Sequence, residues 1–152
     1  MALTLGDKVP YFEAYNAQGE LVKSTSYIGK QVVVLYFYPK DDTPGCTQQA
    51  CTFRDYYADY QAVGAAVIGV SSDDAASHQR FQSKYQLPFE LLADPNQVIR
   101  KLFGVPANLL GLLPGRVTYV IDTTGTIIGL YNSQFPGKHH QKAIELINNI
   151  TS

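Results

Sequence analysis

The residue types best able to do chemistry in this chain gather in one segment, Pro39-Lys40-Asp41-Asp42-Thr43-Pro44-Gly45-Cys46. A cysteine thiol is nucleophilic only as its thiolate, and an unperturbed thiol has a pKa near about 8.5. The segment offers two ways to favour the anion. Pro44-Gly45 marks a helix start, where unpaired backbone N–H groups and the positive end of the helix dipole face an anion. Thr43, three residues before Cys46, can present a hydroxyl to the same spot, accepting from a substrate proton or donating to a developing oxyanion. Pro39 can shield the sulfur from water. The spacing alone leaves a second reading open, in which Cys46 is a small buried hydrophobe.

The pattern Pro-x-x-x-Thr-x-x-Cys, placed directly after an apolar strand, resembles the active-site signature of the peroxiredoxins. The longer string Tyr36-Phe37-Tyr38-Pro39-Lys40-Asp41-Asp42-Thr43-Pro44-Gly45-Cys46-Thr47 is similar to the bacterioferritin-comigratory, or Q-type, subfamily. So are Phe53-Arg54-Asp55 and Leu113-Pro114-Gly115-Arg116-Val117-Thr118-Tyr119-Val120-Ile121-Asp122. The resemblance covers nearly the whole chain. It implies a thiol peroxidase that reduces hydrogen peroxide and organic hydroperoxides, with Cys46 as the peroxidatic cysteine. Thr43 and Pro39 match the other loop positions, and Arg116 matches the active-site arginine. A guanidinium beside the thiolate would lower its pKa and bind peroxide oxygens. One position departs from the pattern: Gln49 stands where the subfamily commonly has glutamate. An amide there removes a negative charge near the thiolate, so a lower thiolate pKa than with glutamate is expected, together with looser positioning of Arg116.

The second cysteine, Cys51, follows at the C-x4-C spacing of the subfamily's resolving cysteine. The resemblance therefore implies that Cys51 condenses with a Cys46 sulfenic acid. Thioredoxin is then the implied reductant, and a monomer the implied state. The alternative is a buried helix cysteine, with an external thiol resolving Cys46. If the two pair, helix geometry matters. On an ideal helix residues five apart have Cα atoms about 8.6 Å apart, pointing roughly 140° away from each other. A disulfide needs Cα atoms within about 7 Å. The first turns of that helix must then unwind on oxidation.

The elements that must hold these residues are legible from periodicity. Residues 31–38 are continuously apolar and β-branched, a central strand covered on both faces. From about Thr43 a helix follows, its buried face carrying Cys46, Ala50, Phe53, Tyr57 and Tyr60. Residues 65–71 read as a second buried strand, with Ser72 or Asp73 capping a helix whose apolar face includes Phe81 and Tyr85. Residues 91–93 form a short strand, and 97–103 a short helix ended by Gly104. Residues 117–121 and 126–131 flank Asp122-Thr123-Thr124-Gly125, a hairpin signal. Residues 138–150 close the chain as a helix. The first thirty residues look like an added hairpin with Gln18-Gly19 near its turn. This order predicts an α/β single domain over 1–152, a mixed central sheet flanked by helices, of thioredoxin-like type, with an N-terminal β-hairpin extension.

The chain has 152 residues, 45% hydrophobic and 16% charged, with a net charge of -1. No basic run suits nucleic acid, and no apolar run reaches the ~18 residues of a membrane span. Two cysteines are too few for a secreted disulfide scaffold, and the N-terminal residues carry no signal-peptide pattern. A bacterial cytosol or, for a processed form, a plastid is expected. Phosphate-loop and dinucleotide fingerprints are absent, so no cofactor is implied. C-x4-C with His78, His139 and His140 is a poor match to zinc spacings, and the C-x-x-C of thiol–disulfide oxidoreductases is absent. His78 is expected on a solvated helix face, and His139 and His140 at the start of the last helix. Asp41 and Asp42 are read as solvated loop charges. Tyr38 is a candidate for lining the peroxide pocket, and Leu109, Leu110, Leu112 and Leu113 for packing on the core, forming an apolar rim that favours organic peroxides, or forming a partner surface.

Overall fold

A computed structural model describes residues 2–108 and 113–151. Its strands are β1 (Glu13–Tyr15), β2 (Leu21–Lys23), β3 (Val33–Phe37), β4 (Ala66–Ser71), β5 (Glu90–Ala93), β6 (Ala107–Asn108), β7 (Leu113–Pro114), β8 (Val117–Ile121) and β9 (Ile127–Asn132). Its helices are α1 (Pro44–Asp55), α2 (Tyr57–Ala62), α3 (Ala75–Tyr85), α4 (Val98–Phe103) and α5 (His139–Thr151).

Five strands form the main sheet in the order β5-β4-β3-β8-β9. β3 pairs in parallel with β4, and β4 with β5, each connection carrying helix across the sheet. That is the crossover a parallel pair requires. β8 runs antiparallel to β3, and β9 antiparallel to β8 through the expected hairpin. The order makes β3 the centre of a mixed sheet, as its unbroken apolar run anticipates. β1 and β2 form the separate N-terminal hairpin, and β6 pairs with β7.

Alternation along β3 divides the core in two. Val34, Tyr36 and Tyr38 pack with Ala50 and Phe53 of α1, Tyr60 of α2, Phe81 of α3 and Ile147 of α5. Val33, Leu35 and Phe37 face the other way, onto Phe12, Ile99, Phe103 and Tyr119. All five β3 side chains are buried, each worth roughly 1.5–3 kcal/mol relative to exposure. Both layers meet at the carboxyl end of β3, where the chemistry-bearing loop begins. Open α/β sheets bind their ligands at that end.

Two local expectations are corrected. The helix following Thr43 is not continuous through Tyr60: it breaks at Tyr56, whose backbone leaves helical geometry while its ring stacks on His140 at 4.2 Å. Tyr60 remains buried, now on α2. The cap of α3 is Asp74, which accepts from the Ser77 N–H at 2.8 Å, rather than Ser72 or Asp73. Asp73 is drawn away by Ser71 Oγ and the Asp41 N–H, both of which donate to its carboxylate. Leu109, Leu110 and Leu112 lie outside the described residues.

Candidate active site

The site is built where β3 hands the chain to α1. Pro44 occupies the first helical position, where its fixed φ suits the helix and its missing N–H costs nothing. The first backbone bond of the helix is Thr47 N–H to the Thr43 carbonyl, 2.8 Å. The Gly45 and Cys46 N–H groups therefore belong to the turn where helix amides have no intrahelical acceptor. Cys46 is 2% exposed. Its thiol is held in a mostly apolar wall at the positive end of the helix, a place that strengthens any charged contact it makes.

That contact comes from the neighbouring strand, far away in sequence. Arg116 directly precedes β8 and is itself buried. Its Nη2 donates to Cys46 Sγ at 3.4 Å, its Nη1 to Gln49 Oε1, and its Nε to the Gln134 carbonyl at 3.2 Å. Three donations in three directions lock the planar guanidinium. Gly45 leaves room for it: a Cβ there would sit 3.1 Å from Nη2. The departure at Gln49 thus keeps an oxygen acceptor for Arg116, so the expected loosening is not seen in the geometry. The amide nitrogen Nε2 has no hydrogen-bond partner, and neither does the buried Tyr36 hydroxyl. Burial keeps that phenol protonated, with Cys46 and Asp41 adding to the effect.

Thr43 is the residue before α1 and is half-buried. Its hydroxyl donates to the Lys40 carbonyl at 2.9 Å, so its lone pairs remain to accept from an incoming O–H. Pro39 is half-buried one residue beyond Tyr38. Cys51 is partly buried on the same unbroken α1, and both cysteines are free thiols. The structure brings Cys46, Gln49 and Arg116 into direct contact, and leaves Cys51 a helical turn and a half away.

Two residues near the site differ from expectation. Asp41 is buried rather than solvated, and His78 is fully buried rather than on a wet helix face. His78 Nδ1 meets Asp41 Oδ2 at 2.6 Å. Tyr38 donates its hydroxyl to Asp41 Oδ1 at 2.5 Å. One signal for His78 was available: it lies three residues before Phe81 and seven before Tyr85, the spacing of their own face. His139 and His140 do open α5 and its approach, and both are buried. Burial lowers the His139 pKa to about 4.

Comparison with known proteins gives a consistent set of likenesses. The AhpC/TSA family matches residues 5–129. Peroxiredoxin Q, chloroplastic, of Triticum aestivum is 51% identical over 146 residues, covering 95% of this chain and 67% of the wheat protein. The chain thus spans about two thirds of that relative's length. Among solved structures, peroxidoxin BcpB from Mycobacterium tuberculosis superposes with a TM-score of 0.91 at 33% identity, over 99% of both chains. PrxQ of Xylella fastidiosa superposes with a TM-score of 0.86 at 26% identity, over 99% of this chain and 96% of the other.

Proposed function

The chain belongs to the AhpC/TSA family as a peroxiredoxin, an oxidoreductase of the peroxidase class, and from that premise we propose that Cys46 is its peroxidatic residue, acting on hydrogen peroxide and organic hydroperoxides. The contact between Arg116 Nη2 and Cys46 Sγ carries this reading. In the reaction the Cys46 thiolate attacks the terminal oxygen of the hydroperoxide. The S–O bond forms as the O–O bond breaks, and the departing alkoxide or hydroxide takes a proton to leave as alcohol or water. Arg116 stabilises the charge that moves from sulfur to oxygen, and Thr43 accepts the proton-bearing end of the peroxide.

Cys46 is left as a sulfenic acid. The Cys51 thiol then attacks the Cys46 sulfur, expelling water and forming an intramolecular disulfide. A dithiol reductant of the thioredoxin kind returns both thiols and is itself oxidised. Resolution within one chain suits a monomer, and a plastid or a bacterial cytosol suits the reductant. Stopped-flow oxidation of the wild type, Cys46→Ser and Cys51→Ser with several peroxides tests the assignment. Cys46→Ser is expected to be inert. Cys51→Ser is expected to consume one equivalent and stop. A Cys46→Ser protein that still reduces peroxide sinks the reading.

A further inference from the structure

Resting on the peroxidase reading, we propose that His78 is a positioning residue: as an imidazolium paired with the buried carboxylate of Asp41, it anchors the loop that carries Pro39 and Thr43 against Cys46.

The charge state follows from the bonds. His78 Nδ1 lies 2.6 Å from Asp41 Oδ2, and Nε2 lies 2.9 Å from the Leu92 carbonyl. The Leu92 carbonyl can only accept, and so can Asp41 as a carboxylate, whereas a neutral imidazole has a single N–H. A neutral ring would leave one nitrogen lone pair pressed against an oxygen. The doubly protonated ring satisfies both contacts. The pair is shut from solvent, with side-chain exposures of 0% and 3%. Pairing is what makes such buried charges tolerable.

The surroundings agree with one positive charge at His78. Asp41 Oδ2 also accepts from Ser77 Oγ at 2.9 Å, and Oδ1 from the Tyr38 hydroxyl. The Asp41 N–H donates to a second carboxylate, Asp73 Oδ2, at 2.8 Å. Two carboxylates therefore face the ring from the loop and from the turn after β4. Tyr38, just past the end of β3, faces it as a phenol that burial keeps neutral, β5 offers only a carbonyl, and Arg100 of α4 is engaged by the Tyr38 and Gly115 carbonyls. The same atoms of Asp41, Asp73 and His78 lie close enough for a metal, but the ring nitrogens are directed at Asp41 and at a backbone carbonyl, so the arrangement is a hydrogen-bonded ion pair.

The anchor sits where the site needs a fixed point. Asp41 is two residues before Thr43 and five before Cys46. Beyond it, Asp42 holds a left-handed backbone with φ of 57° and is exposed. If the first turns of α1 unwind for the Cys46–Cys51 bond, Asp42 is the joint and Asp41 the part that stays. Without the pair, Thr43 and Pro39 lose their reference to α3 and β5. A displacement near 1 Å at a reacting centre costs up to about 100-fold in rate.

The test compares wild type with His78→Gln and Asp41→Asn. The readout is the rate constant for Cys46 oxidation by hydrogen peroxide, followed across pH to its alkaline plateau, where the thiolate is fully formed. An anchor predicts plateaus about 10- to 100-fold lower. A merely structural pair lowers the melting temperature and leaves the plateau within twofold of wild type, which overturns the proposal. Nitrogen-15 spectra of wild-type His78 at neutral pH are expected to show two ring N–H groups, and a single one overturns it equally. Should both variants fail to fold, Ser77→Ala removes one donor from Asp41 and keeps the pair. Its plateau is expected to fall severalfold, and an unchanged value counts against the anchor. An inert wild type would instead overturn the peroxidase reading beneath it.

Discussion

Arg116 Nη2 lies 3.4 Å from Cys46 Sγ, across 70 residues of chain. The guanidinium reaches the sulfur from the start of β8 because β8 is the antiparallel neighbour of β3. The sheet therefore brings the end of one strand and the beginning of the other to the same edge. The helix dipole, the buried wall and the guanidinium all act on one atom, and each is supplied by a different part of the sequence.

Replacing Arg116 with lysine tests the guanidinium separately from its charge. An ammonium cannot donate at once to Cys46 Sγ, Gln49 Oε1 and the Gln134 carbonyl, which lie in three directions around the planar fork. Losing a preorganised donor at a reacting centre costs on the order of 10² to 10³ in rate. Arg116→Lys is expected to lower the rate constant for peroxide by about 10²-fold. Stopped-flow oxidation checks it; a rate within threefold of wild type shows that charge alone suffices.

Gln49→Glu asks what the amide contributes. The glutamate would accept from Arg116 Nη1 as the glutamine does, but would bring a full negative charge to the same buried place. Part of the guanidinium's field would then be spent on the carboxylate rather than on sulfur. The pH–rate profile of the variant is expected to move to higher pH, with a slower reaction at neutrality. A profile that stays in place, or moves to lower pH, would falsify the charge argument.

The proposed Cys46–Cys51 bond makes a demand on α1. Both cysteines sit on one helix that runs without interruption over Pro44–Asp55 in the dithiol form. Oxidation of wild type with one equivalent of peroxide is expected to expose the amides of residues 45–51 to fast hydrogen exchange. The amides of β3 should stay protected, because its side chains are buried on both faces. In Cys51→Ser the same treatment should leave α1 protected. Fast exchange in the variant, or protection in the bonded wild type, removes the unwinding step.

The parts of this fold readable in the sequence are those set by local pattern. The β3 run, the hairpin around Asp122, the Gly104 stop and the Cys46 helix start each rest on neighbours within a few residues. The parts not readable are those settled by partners distant in sequence. Asp41 and Asp42 are adjacent acids in one loop, yet Asp41 is sealed against His78 while Asp42 lies on the surface with Lys84 and Tyr85. Nothing local separates them. The cap of α3 moved from Asp73 to Asp74 for a related reason, since Asp73 is recruited by the Asp41 backbone. Arg116 was placed at the site only by resemblance to a family, because 70 residues of spacing carry no local signal.

Acid sensitivity is expected to reside in part at His139. The ring is fully buried at the start of α5. Its Nε2–H donates to the Ser133 carbonyl and its Nδ1 accepts from the Thr118 hydroxyl, each at 2.7 Å, which is the pattern of a neutral imidazole. Burial depresses its pKa from 6.5 to about 4, and the nearby Arg116 charge pushes the same way. In the unfolded chain the ring takes up a proton near pH 6.5, whereas in the folded protein it waits until about pH 4. Between those values the unfolded state binds more protons, so stability falls as pH falls. The contribution is fully present above pH 6.5, is lost progressively on acidification, and is gone below about pH 4. A shift of that size corresponds to about 3 kcal/mol. Urea unfolding of wild type and His139→Gln between pH 7.5 and 4.5 measures it. The variant starts less stable, because it loses the Thr118 and Ser133 bonds, but its stability should decline less steeply with acid. His140, also depressed by burial, acts in the same direction in both proteins and cancels from the comparison. Equal slopes for the two proteins would mean that His139 is not the group being titrated.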